Sequence, residues 1–149
     1  MTGNDPFRES TLPVGEVNTA TLRRVLIDWI RQGTGIRVDY DFREKYTGLT
    51  LAFTAGAFKR KGYILGGYHA RYQFALICRT YPEDRENRIS ADEQLTMLAD
   101  WMTRNRPVFP EPFRFRKITQ ESLAQMTKRH ENGMEDHSVT LNLFFEVID

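Results

Sequence analysis

The chain has 149 residues, of which 40% are hydrophobic and 28% charged, a composition typical of globular proteins and not of disordered chains. The 21 basic and 20 acidic residues leave a net charge of +1, which excludes a strong overall field for binding nucleic acid or an anionic membrane. A single cysteine, Cys78, excludes an internal disulfide, and no apolar run approaches the roughly 20 residues of a membrane span.

Residues 1–16 contain two glycines and two prolines and show little periodicity. They are predicted to form an extended arm in front of a single α+β domain that covers residues 17–149. Two interpretations of the arm stay open: a frayed terminus, or a segment that docks on a neighbouring molecule through Phe7, Leu12 and Val14. The N-terminus is polar and has no apolar signal core, so synthesis and assembly are expected in a reducing cytoplasm.

A helix is predicted from about Thr19 to Gln32, because its apolar residues recur with the spacing of one helical face. Gly33 and Gly35 are expected to end it. The stripe consists of Leu22, Val25, Leu26, Trp29 and Ile30. We interpret this stripe as part of the core and not as a groove for a partner.

Three strands are predicted after this helix, over residues 36–42, 49–54 and 63–80, from the alternation of apolar residues. Residues 55–62 are interpreted as a hairpin tip that is longer than a tight turn needs, and loops of this kind often carry function. The third strand is expected to be central in the sheet. Within it, Cys78 is interpreted as a small buried hydrophobic residue and not as a catalytic thiolate.

A second helix is predicted to begin at a capping box, in which Ser90 and Glu93 satisfy each other's backbone amides. Pro107 and Pro110 are expected to stop it. Its apolar stripe comprises Leu95, Leu98, Ala99 and Met102. Trp101, beside this stripe, could widen the buried face or reach a neighbouring molecule.

Two more strands are predicted over residues 113–119 and 139–148, and the first has outward basic positions at Arg114, Arg116 and Lys117. A helical turn is predicted at residues 122–129 in the polar stretch between them. The expected fold class is α+β, a mainly antiparallel sheet of about five strands with two helices packed on one face. The crossover through the second helix could make one strand pair parallel.

The sequence contains no convincing catalytic constellation. His130 and His137 flank several carboxylates and could bind a metal, but their spacing fits no helical ligand pair, so a solvated loop is favoured. The carboxylates of residues 83–86 lie in a charged turn with no apolar residue to desolvate one of them, as acid–base catalysis requires. We therefore predict no catalytic residue, no metal and no cofactor, and interpret the chain as non-enzymatic.

Several stretches carry a resemblance to a known family. They are residues 61–68 (Lys-Gly-Tyr-Ile-Leu-Gly-Gly-Tyr), residues 72–76 (Tyr-Gln-Phe-Ala-Leu) with Arg79, then Arg88, and residues 98–101 (Leu-Ala-Asp-Trp). In this pattern the chain resembles the tail terminators of long-tailed bacteriophages, also called tail completion proteins and often labelled minor capsid proteins. The resemblance implies an α+β virion protein that forms a ring, expected to be a hexamer. Such a ring caps the tail tube and docks it to the head, without catalysis or cofactor.

The same resemblance implies the partners and the location of the protein. The partners are other copies of the chain, the tail tube protein, and neck or connector proteins, in the tail or neck of the virion and with no membrane. DNA in the lumen of the ring could make a passing contact with it. Two alternatives stay open: another neck or head–tail connector protein, or a small oligomeric enzyme whose site is assembled between subunits.

A closed ring requires one surface patch of a subunit to meet a different patch on the next subunit. The arm and the hairpin tip are the candidates for such patches. The predicted interface residues are Phe7, Leu12, Phe58, Lys59, Arg60, Lys61 and Tyr63. The basic tip and the basic strand face could each contact a phosphate backbone or an acidic subunit, or remain solvated.

Overall fold

The computed structural model describes residues 17–39, 47–53, 58–62, 67–81 and 85–148, with the backbone alone described for residues 17–19, 53, 58–62 and 85–89. Within these ranges two helices and six strands follow one another in the order α-β-β-β-α-β-β-β. They are α1 (Val17–Thr34), β1 (Gly48–Phe53), β2 (Phe58–Gly62), β3 (Tyr68–Thr80), α2 (Arg85–Arg104), β4 (Phe113–Gln120), β5 (Gln125–Arg129) and β6 (Glu135–Val147).

All six strands form one sheet, built around the long antiparallel pair β3 and β6. This pair runs without a register shift from Tyr68 opposite Val147 to Thr80 opposite Glu135. The far side of β3 pairs with β1 and β2, and the far side of β6 pairs with β4 and β5. The predicted α+β class with a mainly antiparallel sheet is therefore confirmed, with six strands in place of about five.

One face of the sheet is apolar, and both helices cover it. Side chains alternate between the two faces of a strand, so every second residue of β3 and β6 enters the core. Tyr72, Phe74 and Leu76 on β3 lie opposite Leu143, Leu141 and Val139 on β6, and all six are buried. The same core contains Leu22, Leu26 and Ile30 of α1 and Leu95, Leu98 and Met102 of α2. Burying each such side chain contributes about 1.5–3 kcal/mol.

The two helices meet through a pair of tryptophans. The ring centroids of Trp29 and Trp101 are 4.6 Å apart, with the planes tilted by 40°. A Cβ at Gly33 would overlap Cζ2 of Trp101, so the glycine lets the indole of α2 pack against the backbone of α1. Gly33 thus lies within α1 and does not end it. The helix ends before Gly35, whose φ of 76° and N–H bond to the carbonyl of Arg31 form a left-handed cap.

The predicted start of α2 is wrong. The helix begins at Arg85, so Ser90 lies inside it and does not cap it. Arginine and glutamate are good helix formers, and the residues before Ser90 extend the helix backwards past the capping box. The predicted apolar stripe is confirmed, and Trp101 is half-buried against α1.

Two further predictions need correction, a third is described only in part, and the open alternative of a parallel pair is not found among the described strands. The predicted hairpin tip contains a strand, β2, and the predicted helical turn at residues 122–129 is replaced by β5. The predicted strand over residues 36–42 is described only as far as Asp39, which forms a single parallel bridge to Thr50. The named strands all pair antiparallel, so no parallel pair arises from the crossover through α2.

The contact between Gly33 and Trp101 gives a test of the helix packing. Gly33→Ala is expected to lower the free energy of unfolding by about 1–3 kcal/mol, because the added methyl group overpacks against the indole. In a Trp101→Ala background the same change is expected to raise it by up to about 1 kcal/mol, since alanine is the better helix former. Urea unfolding followed by circular dichroism measures both. An effect of the same sign in the two backgrounds would contradict the packing described.

Candidate assembly surface

The structure places four of the seven predicted interface residues on one edge strand. Phe58 to Lys61 lie in β2, with Phe58 opposite Arg71 and Lys61 opposite His69. The register shifts between Lys59 and Lys61, which marks a bulge at Arg60. The other three, Phe7, Leu12 and Tyr63, lie outside the described residues.

The strand β2 belongs to one particular end of the sheet, which we call the β2–β4 end. It pairs with the first residues of β3, which pair with the last residues of β6, which pair with the first residues of β4. One row of opposed residues therefore crosses all four strands, and a second row lies next to it. The rows are Phe58, Arg71, Phe144 and Lys117, and Lys61, His69, Glu146 and Arg114.

The face opposite the helices is basic at this end. Arg114, Arg116 and Lys117 are exposed, as predicted for the outward positions of this strand. The guanidinium of Arg116 donates to Oε1 of Glu146 at 2.7 Å, and Nζ of Lys117 lies 5.0 Å from the centroid of the Phe144 ring. Because one buried carboxylate stands among several exposed cations, this surface suits a phosphate or an acidic protein partner.

A groove opens beside the basic face, between the α2–β4 connection and the end of β6. It has a volume of about 560 Å³, and its lining includes Val108, Phe109 and Ile148. Val108 is 90% exposed and Ile148 is 40% exposed, so two aliphatic side chains that line the same groove are open to solvent. Sequence reasoning missed this groove, although the two apolar residues between Pro107 and Pro110, Val108 and Phe109, were a signal for it.

Three phenylalanine rings line the groove, and each packs against another ring. Phe109 packs edge to face on Phe115 with centroids 5.8 Å apart, and the guanidinium of Arg106 lies 5.5 Å above the Phe115 ring. Phe113 packs on Phe145 of the core. The N–H of Ile148 donates to the carbonyl of Pro112 at 2.8 Å, which ties the end of the chain to this loop. The groove is therefore a formed feature of the fold.

The opposite end of the sheet holds a set of paired charges. Arg79 donates to both carboxylate oxygens of Asp136, at 2.8 and 3.2 Å, and Nε2 of His130 lies 3.0 Å from Oδ2 of the same residue. Burial alone would raise the pKa of Asp136, but hydrogen bonds from Arg79 and His130 outweigh it and hold the pKa below its usual value. This carboxylate is a structural anchor between β3 and the β5–β6 hairpin.

Two further titratable residues, Glu135 and His137, are buried beside the first group, on the helix side of the sheet, and each contacts a more exposed partner. Nδ1 of His137 lies 2.8 Å from Oδ1 of Asp92, and its Nε2 lies 3.3 Å from Oε1 of Glu135. Arg129 donates to Oε2 of Glu135 at 2.8 Å. The predicted solvated loop around His137 is therefore wrong, because Glu135, Asp136 and His137 are buried in β6. Their charges are tolerated because each is paired.

Cys78, which was considered as a catalytic thiolate, lies in the core of the fold. Cys78 is buried, and desolvation together with Asp136 and Asp92 raises its pKa to about 11, which keeps the thiol protonated and unreactive at neutral pH. Within residues 17–39, 47–53, 58–62, 67–81 and 85–148, no three His, Cys, Asp or Glu side chains are grouped as a metal site requires. Neither helix of the described part is long and apolar enough to span a membrane.

Comparison with known proteins identifies a similar fold. A chain of the virion of a native gene transfer agent particle matches with a TM-score of 0.61 and 12% sequence identity, over 89% of this chain and 99% of that one. A second solved chain has a TM-score of 0.44 and 14% identity over 90% of this chain and 95% of its own length, which is too distant to support an argument. No family model matches the sequence. No curated protein matches it either.

The buried carboxylate of Asp136 predicts a pH dependence of stability. Its pKa is lower in the folded than in the unfolded state, so it stabilises the fold above about pH 4, and this contribution is lost as the pH falls through the folded pKa. Asp136→Asn is expected to lower the free energy of unfolding by about 1.5–3 kcal/mol at pH 7. The difference from the wild type should shrink steadily below pH 4. Urea unfolding at a series of pH values measures this.

Glu131→Gln is the matched control, since Glu131 is exposed in the adjacent turn. It is expected to change stability by less than about 0.5 kcal/mol. A gap between Asp136→Asn and the wild type that stays constant from pH 7 to pH 2 would contradict the assignment.

Proposed function

We propose that this chain is a structural virion protein that acts as a tail terminator, forming a ring that caps a phage-type tail tube and docks it to the head. The main support is the shared fold with a chain of a gene transfer agent virion, which extends over 99% of that chain. The resemblance of residues 61–101 to tail terminators supports the finer role.

The geometry is suited to ring formation in one specific respect. A ring needs two different patches on each subunit, facing in directions that let one subunit follow the next. At the β2–β4 end, the β2 strand with Lys59 to Lys61 forms one edge of the described sheet, and β4 with the adjoining groove forms the other edge. Two unlike surfaces therefore lie on opposite edges of one sheet.

The basic face supplies a third surface, and in the proposal it faces either the lumen or an acidic partner. Arg71, Arg114 and Lys117 are exposed along it, and cations at such positions bind phosphate without sequence preference. The proposed partners are the other copies of the chain, expected to number six, the tail tube protein and a neck or connector protein. The proposed location is the tail or neck of the virion, after assembly in the host cytoplasm.

The function is tested by particles produced without this protein and inspected by electron microscopy. A tail terminator predicts tails of uncontrolled length, or tails without heads. Normal-length tails with heads that have lost their DNA would instead indicate a connector in the neck. Particles of normal form and infectivity would reject a role in the virion altogether.

The β2 edge is tested by removing its charge. Replacing Lys59, Arg60 and Lys61 by serine is expected to weaken self-assembly at least about tenfold, because a charged rim mainly sets association with a complementary surface. Analytical ultracentrifugation over a concentration series measures the oligomer. The assembly of the wild type should also weaken with added salt, and that of the variant should respond less.

The control replaces Arg31, Arg104 and Lys128 by serine, which removes the same charge from exposed positions on α1, α2 and β5. It is expected to leave assembly unchanged. Equal weakening by both triple variants would mean that net charge, and not the β2 edge, governs association.

A further inference from the structure

We propose that the groove at the β2–β4 end, lined by Arg106, Val108, Phe109, Phe113, Phe115 and Ile148, receives the N-terminal arm, residues 1–16, of a neighbouring copy of the chain. The inference rests on the ring proposed above and adds the contact that links its subunits. It assigns a function to the groove beside β4, whose apolar rim is exposed to solvent.

The surface of the groove calls for an apolar occupant with some negative charge. Its floor is built from phenylalanine rings, and its rim carries the exposed side chains of Val108 and Ile148. Exposed apolar surface next to polar residues is characteristic of sites where another protein segment binds. Arg106 and Arg114 also line it, against one acidic residue, Glu111, so the charge of the lining is positive.

The sequence of the arm matches these requirements. It contains Phe7 and the run Leu12-Pro13-Val14, together with three acidic residues and one basic residue. Proline fixes its own φ and keeps the preceding residue extended. Extended proline-containing segments bind aromatic-lined grooves at a low cost in conformational entropy. Apolar anchors would thus contact the phenylalanine floor while the net negative charge of the arm faces the two arginines.

The length of the arm allows it to reach another subunit. Sixteen extended residues span about 50 Å, which exceeds the diameter of roughly 30 Å of a small domain. An arm bound in its own groove would add no contact between subunits. An arm bound in the next groove gives the one-directional link that a closed ring requires.

The test uses disulfide cross-linking between two different variants. Leu12→Cys and Val108→Cys chains are prepared separately, mixed, allowed to assemble and oxidised at pH 8. We expect a disulfide-linked dimer that contains one chain of each kind. Cys78 does not compete, because it is buried and its pKa is raised to about 11. The control pair is Leu12→Cys with Leu123→Cys, since Leu123 is 78% exposed on the β4–β5 connection, outside the groove.

Light scattering on the same mixtures separates this inference from the proposed ring. An oligomer whose Leu12→Cys chain links to Val108→Cys at least about tenfold more than to Leu123→Cys supports the arm in the groove. An oligomer without this preference overturns the inference and leaves the ring standing. A further sample carries Leu12→Cys and Val108→Cys in the same chain. If this double variant forms a disulfide within one chain and no linked dimer, binding of the arm to a neighbouring copy is overturned. A strict monomer in every sample overturns the ring and this inference together.

A second pair of variants tests the groove without cross-linking. Val108→Asp places a negative charge where the acidic arm would bind, and it is expected to raise the dissociation constant of the oligomer at least about tenfold. Leu123→Asp is the matched control and is expected to leave it within about twofold. Both side chains are exposed, so at a protein concentration low enough for every sample to be monomeric the thermal unfolding midpoint of each variant should equal that of the wild type. Equal assembly of the two variants would overturn the inference.

Discussion

The structure depends on the pairing of β3 with β6. The two strands are each 13 residues long and stay in register along their whole length, and each of the other four strands pairs with one of them. A shift of one residue would move every core side chain to the opposite face. Tyr72 and Phe145, whose rings stack with centroids 5.8 Å apart, would then leave the cover of the helices. The burial of alternate residues therefore fixes the register, and the register fixes which residues meet at each end of the sheet.

The two ends of this ladder are chemically different, and their residues explain why. At the end where β3 finishes and β6 begins, Arg79 meets Asp136 and Glu135 meets His137, so the charges are paired and buried within the subunit. Such pairs contribute little net stability, but loss of one partner is costly because the other charge is then left buried. At the β2–β4 end the cations are exposed, and an apolar groove adjoins them. At the first end the charged groups are therefore paired within the subunit, whereas the β2–β4 end is suited to binding a partner.

The sequence predicted the parts of the fold that apolar periodicity marks. The stripe of α1, the alternation of β3 and the fold class are confirmed because burial leaves a period of 3.6 or 2 in the sequence. The strand β5 left no such trace, since all five of its residues are exposed. The capping box predicted a helix start at Ser90, which was wrong because the helix-forming residues before Ser90 extend the helix back to Arg85. His137 was misjudged since its partner Asp92 is 45 positions away. Of the candidate site, the basic face of β4 was predictable, whereas the groove depends on tertiary contacts among loop residues.

The surroundings of Cys78 and His137 follow from the pairing of β3 with β6 and from the packing of α2 on that pair. Both residues lie at the paired end of the sheet, where β3 and β6 are opposed and α2 supplies Asp92. Desolvation there raises the pKa of the thiol, and two carboxylates hold the imidazole in place. A nucleophile needs a low pKa and access to substrate, and burial removes both. At the β2–β4 end, by contrast, Arg71, Arg114, Lys117 and the apolar rim of the groove are exposed and open to contact with another molecule.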